Sequence, residues 1–183
     1  MRFADDNDGM PGYTVPMQKI TDYRESRELH YPETVSIVIV KDMDGRYNPM
    51  SAAWSMFTSI EPRMMAISIG FERYTYELML KQTEFVISYP STRMAEEVRF
   101  FGTESGRDLD KLKVLGTPTQ PATIIDGLLL AEASLNFECI LKDSLVTGDH
   151  VIFSGEVVAS HVHAENIPRI YSLGPKIFGG IQK

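Results

Sequence analysis

Strand-like runs outnumber helical ones along this chain, and they do not alternate with helices in the βα manner, which narrows the fold to an antiparallel sheet. Residues 34–41 (TVSIVIVK) are β-branched and apolar. They lead into the turn-prone Asp42-Met43-Asp44-Gly45 and then Arg46-Tyr47-Asn48, so a strand–turn–strand hairpin is expected. Residues 64–70 (MMAISIG) and 85–89 (FVISY) read as further strands, with YTYELMLKQ between them as a short helix. Residues 92–101 and 108–115 carry apolar side chains at helical spacing on either side of a polar loop at 102–107. The last third alternates strand-like runs about a Gly148-Asp149 turn, the pattern of one long hairpin. So many antiparallel strands are expected to close into a small barrel, which removes their exposed edges, with a few helices plugging or flanking it.

At 183 residues and 43% hydrophobic, the chain can bury the core of one domain. Residues 1–24 hold Asp5, Asp6 and Asp8 among glycines and prolines and are expected to form an extension, with Phe3 and Tyr13 available to dock. The domain proper is expected over 25–163. Residues 164–183 form a tail too rich in Gly and Pro for a regular element, with apolar residues enough to pack on the domain or a partner subunit. A net charge of −7 argues against nucleic acid as a partner. No apolar run is long enough to span a bilayer and the N-terminus lacks a signal-peptide pattern, so a cytoplasmic protein is expected. The single cysteine, Cys139, sits in an apolar run and reads as a buried, inert thiol.

The chemistry concentrates between residues 48 and 79. A polar strand bearing Asn48, Ser51 and Trp54 is followed by a helix opening at Arg73-Tyr74-Thr75, an arrangement that suits a planar polar ring carrying a phosphate. Plainer readings stand beside this one: Thr75 as a helix cap, Arg73 as a solvated charge, Trp54 as a core or interface residue, Lys111 as a neutraliser of Asp108 or Asp110, and His150 as an exposed turn residue. His161 and His163 share strand spacing with Glu165 following, yet a third or fourth metal ligand is not evident, so no metal is expected. No catalytic triad, dinucleotide fingerprint or Walker loop is present.

Five short stretches, Asn48-Pro-Met-Ser-Ala-Ala-Trp54, Arg73-Tyr-Thr-Tyr-Glu-Leu78, Ser105-Gly-Arg-Asp-Leu-Asp-Lys111, Phe137-Glu-Cys139 and Gly148-Asp-His150, together resemble the flavin reductase-like, flavoredoxin-type family, in its order and over roughly residues 30–160. The resemblance implies a mainly β, antiparallel Greek-key split β-barrel that binds FMN, usually as a homodimer. It implies that Asn48, Met50, Ser51, Ala52 and Trp54 lie beside the isoalloxazine. Arg73 and Thr75 are implied at the phosphate and Tyr74 at the cofactor, with Lys111 and His150 near the flavin or the nicotinamide, and Tyr171 or Phe178 of the tail covering the ring or crossing to the partner subunit. NADH or NADPH is the implied co-substrate, and no side chain is needed as an acid or base for hydride transfer. An electron-carrier flavoprotein passing electrons to a protein acceptor, and a flavin-free dimeric interaction barrel, are the alternative readings.

Overall fold

The computed structural model describes residues 18–180; the expected docking of Phe3 and Tyr13 lies outside them. The chain divides into two compact units. The first ends at His30 and contains the short helix α1 (Tyr23–Glu28), whose start is capped by Asp22 accepting from the Glu25 N–H.

The second unit carries β1 (Glu33–Thr34), β2 (Ser36–Lys41), β3 (Tyr47–Ala52), β4 (Ser55–Ser59), β5 (Met64–Gly70), α2 (Tyr74–Met79), β6 (Glu84–Pro90), α3 (Ala95–Thr103), α4 (Lys111–Leu115), β7 (Thr119–Pro121), β8 (Leu128–Leu130), β9 (Ala133–Thr147), β10 (His150–Val162), β11 (Ile170–Gly174) and β12 (Ile177–Gly180). Seven strands form one antiparallel sheet in the order β3-β2-β6-β9-β10-β5-β4. Its first and last strands, β3 and β4, are separated in the chain only by Ala53 and Trp54. That link draws the two margins of the sheet together, and the result is the split β-barrel expected from the sequence.

The sheet is covered on both faces, which explains why β2 is an unbroken apolar run. Val38 and Val40 point to one side, with Met65, Ile67, Ile69, Phe85, Ile87 and Phe153, and α2 plugs that interior with Leu78 and Met79. Ile37 and Ile39 point to the other, against Val98 and Phe101 of α3 and Leu129 and Leu130. A strand buried on one face only would alternate; this one cannot without exposing a polar side chain to a core.

Glu138 of β9 is fully buried yet has every donor it needs. Its carboxylate accepts from the backbone N–H groups of Thr123, Ile124 and Ile125 at 2.7, 2.8 and 3.1 Å, from the Thr123 hydroxyl at 2.8 Å, and from His161 Nε2 at 2.7 Å. It thereby pins the connection between β7 and β8 to the sheet. Burial alone would raise this carboxyl, but the hydrogen bonds from Thr123, Ile124 and His161 outweigh it and hold the group down to about 2. His161 is therefore occupied by Glu138, and among the described residues no group of His, Cys, Asp and Glu is arranged to hold a metal.

The tail departs from expectation. Residues 170–174 and 177–180 are strands, paired with each other and, through β11, with β1. Phe178 packs on the second core, and Tyr171 lies beside Arg169. Cys139 is buried in the first core with its thiol pushed up to about 12, chiefly by burial, so it is unreactive.

Candidate functional site

Three segments distant in sequence meet at the start of β3. Asn48 opens the buried part of that strand, opposite Val40. Its side-chain Nδ2 donates to Thr75 Oγ1 at 2.9 Å, joining β3 to α2. Thr75 is buried, and having accepted from Asn48 it keeps its own O–H to donate. Arg73 stands just ahead of α2 in an extended conformation, and no side chain caps the helix, so Thr75 is not acting as a cap. The third segment is 102–107, which joins the last two residues of α3, Gly102 and Thr103, to the loop that leads to α4; the polar loop expected from residue 102 therefore starts two residues later, because the helix runs on to Thr103.

These pieces line a cavity of about 120 Å³ that includes Asn48, Arg73, Thr75, Ser105, Arg107 and Lys111. Lys111 is its most telling member. Only 3% of it is exposed, and its ammonium has two long contacts, at 3.4 Å each, to the carbonyls of Phe101 and Glu104. Burial lowers its pKa to about 8; Glu104 pulls upward and the like charge of Arg73 pushes further down. Neither Asp108 nor Asp110 neutralises it: Asp110 instead caps α4 by accepting from the Lys113 N–H. Arg107 lies 5.3 Å over the Tyr74 ring and pairs with Glu77. Tyr74 itself has a raised phenol, first through burial and then through Asp42.

Two further details show how tightly the loop closes on Asn48. Asn48 Oδ1 is buried with no hydrogen-bond partner among the described residues. At Gly106, a Cβ would fall 2.0 Å from that same atom and 3.2 Å from the Tyr74 ring, so only glycine lets the loop come so close. The cations Arg73, Arg107 and Lys111 outnumber the carboxylates Glu72 and Glu104 on this lining, and with the hydroxyls of Thr75 and Ser105 they suit a tetrahedral oxyanion.

Six of the ten residues singled out from sequence line this cavity: Asn48, Met50, Arg73, Tyr74, Thr75 and Lys111. Asn48, expected beside a ring, stands at the cationic end. Ser51 donates its hydroxyl to the Val98 carbonyl at 2.8 Å and so ties β3 to α3, while Ala52 packs on the first core. Trp54 and His150 meet each other instead, with ring centroids 4.8 Å apart, and His150 Nδ1 lies 2.6 Å from Asp149 Oδ1. Ser105, Gly106 and Arg107 were not singled out. Their signal was present, since they open the stretch from which Lys111 was taken.

The flavin reductase like domain model matches residues 28–174. An uncharacterized protein of Pyrococcus abyssi is 36% identical over 135 residues, covering 74% of this chain and 77% of its own. The crystal structure of an FMN-binding protein from Thermus thermophilus with bound p-hydroxybenzaldehyde is similar with a TM-score of 0.75 at 25% identity, over 93% of this chain and 95% of that one. The flavoredoxin of Desulfovibrio vulgaris (Miyazaki F) shares the fold with a TM-score of 0.79 at 24% identity, over 90% and 94%.

Proposed function

Since the chain belongs to the flavin reductase like family, we propose that it binds FMN with the phosphate in the Arg73–Thr75–Lys111 cradle and takes a hydride from NADH or NADPH. The observation that carries this reading is the buried Lys111 ammonium beside Arg73, held in the cavity only by two long contacts to backbone carbonyls and by the charge of Glu104. A phosphate would give that ammonium a closer, charged acceptor. Thr75 donates its free O–H and Arg73 a charge-assisted fork, while Asn48 fixes Thr75. Met50, Ser51 and Ala52 of β3, with Trp54 just beyond it, would hold the ring. When bound, the flavin supplies the two-electron acceptor; the chain's residues anchor and orient it and transfer no proton. In this reading the protein is a homodimer, because the edge strand β4 presents Met56 and Phe57 at 57% and 64% exposure.

A flavin spectrum of the purified protein, then anaerobic titration with each nicotinamide, tests the proposal. Protein that is colourless and takes up no FMN sinks it; FMN-loaded protein that oxidises neither nicotinamide is an electron carrier instead. Arg73→Ala should weaken FMN binding by about 1.5–3 kcal/mol while leaving riboflavin, which has no phosphate, nearly unaffected.

Lys111 gives the site a pH signature with two opposite slopes. A bound phosphate favours the charged lysine and raises its pKa above the free protein's value of about 8, so FMN affinity is full below pH 8 and falls as pH rises beyond it. Stability of the flavin-free protein runs the other way. An unfolded lysine keeps its proton up to 10.5, so the unfolded state binds more protons between 8 and 10.5 and stability climbs across that window. Fluorescence titration of FMN and urea midpoints from pH 7 to 10.5 measure both, and Lys111→Met should flatten both.

A further inference from the structure

A second, larger cavity of about 830 Å³ shares no lining residue with the cradle. Its walls include Leu135, Val162, Ile167, Pro168 and Tyr171, and Arg169 enters from the segment ahead of β11. That segment is fastened by the Thr92 N–H donating to the Pro168 carbonyl at 2.9 Å. The guanidinium of Arg169 lies 4.0 Å from the Tyr89 ring centroid and 5.2 Å from that of Tyr171. Rings on this scale hold its plane in place but do not neutralise its charge. Its Nε and Nη2 are shut off from solvent and hydrogen-bond to nothing among the described residues. The acid nearest in sequence, Glu165, is taken by Arg93, which also holds Glu132. An arginine that is half-buried, sandwiched by aromatics and without a carboxylate partner among the described residues is unusual, because such a charge normally carries a paired acceptor.

We propose that this cavity binds a small aromatic carboxylate, its two oxygens meeting the guanidinium and its ring lying against Leu135, Val162 and Ile167. A planar, singly charged acceptor matches a planar fork. A phosphate ester matches it less well, since it needs donors on all sides. Among the described residues Arg169 is the one charged group on this lining; the other polar members, Thr92, Ser134, Asn166 and Tyr171, are neutral, and the Ser134 hydroxyl already donates to the Ile167 carbonyl at 2.8 Å. Tyr89 is buried and stays in place, so Tyr171, half-buried and the farther of the two rings, is the one that shifts when the ligand enters.

The test uses the full chain loaded with FMN and three probes: 2-naphthoate, its neutral isostere 2-naphthamide, and 2-naphthyl phosphate, followed by calorimetry. Naphthoate is expected to bind wild type at least about tenfold more tightly than either other probe, and Arg169→Gln to remove about that tenfold preference. Val162→Trp, which fills the cavity from an exposed position and leaves the arginine in place, should weaken naphthoate to a similar degree. FMN affinity should not change in either variant, which separates failure here from failure of the cradle reading. Equal binding of naphthoate and naphthamide, preference for the phosphate, undiminished naphthoate binding in the variants, or no binding by wild type each overturns the proposal. Should Arg169→Gln fail to fold, Val162→Trp and the three-probe comparison on wild type still decide it.

Discussion

Replacing Glu138 with alanine is expected to lower the free energy of unfolding by about 3–5 kcal/mol, because it removes one buried charge and strands all of its donors at once. The Thr123, Ile124 and Ile125 N–H groups have no alternative acceptor in view, and Ile125 is part of the second core, so the 122–127 connection would loosen from the sheet. Asp126, on the same connection, reaches Tyr47 at 2.7 Å, so the disturbance arrives one residue from Asn48. The urea midpoint measures the loss, and a change below about 1 kcal/mol would show that water replaces the carboxylate without cost. The acid limb of the stability curve has a defined sign. Glu138 sits near 2 when folded against 4.5 when not, so its contribution is complete above pH 4.5 and is lost as pH falls toward 2. In Glu138→Gln that part of the acid dependence should disappear.

Gly106→Ala is expected to cost FMN about 3–5 kcal/mol of affinity, more than the loss of Arg73, since two charge-assisted contacts to the phosphate move together. The added methyl would sit 2.0 Å from Asn48 Oδ1 and 2.8 Å from its Cγ, closer than any side chain tolerates. Either Asn48 swings away and releases Thr75, or the loop after α3 retreats and takes Ser105 and Arg107 with it. Global stability should fall much less, because the loop is at the margin of the core. Equal FMN affinity in wild type and variant, by fluorescence titration, would mean that the phosphate is held elsewhere.

Local pattern carried much of the fold. The strand at Met64–Gly70 falls where the β-branched and apolar run placed it, and the 148–149 turn joins β9 to β10 as expected, since Gly148 adopts φ 59° there. The β11–β12 hairpin was hidden for a physical reason. Its Gly174, Gly179 and Gly180 carry no strand propensity, and β11 is ordered by pairing with Glu33 and Thr34, a partner no local window contains. The site divides in the same way. The types of residue at Arg73 and Thr75 advertised a phosphate. The move of Asn48 to that end depends on a hydrogen bond across 27 residues, and the isolation of Lys111 depends on burial that its acidic neighbours in sequence disguised.

The two-residue link between β3 and β4 has a consequence for how such a protein fails. With the margins of the sheet tethered to each other, neither is readily offered to a stray strand from another molecule. Lengthening that tether with a few glycines would leave each residue's own contacts almost untouched, yet it would free both rims to recruit neighbours, and clumping on storage would then precede any measurable loss of folding.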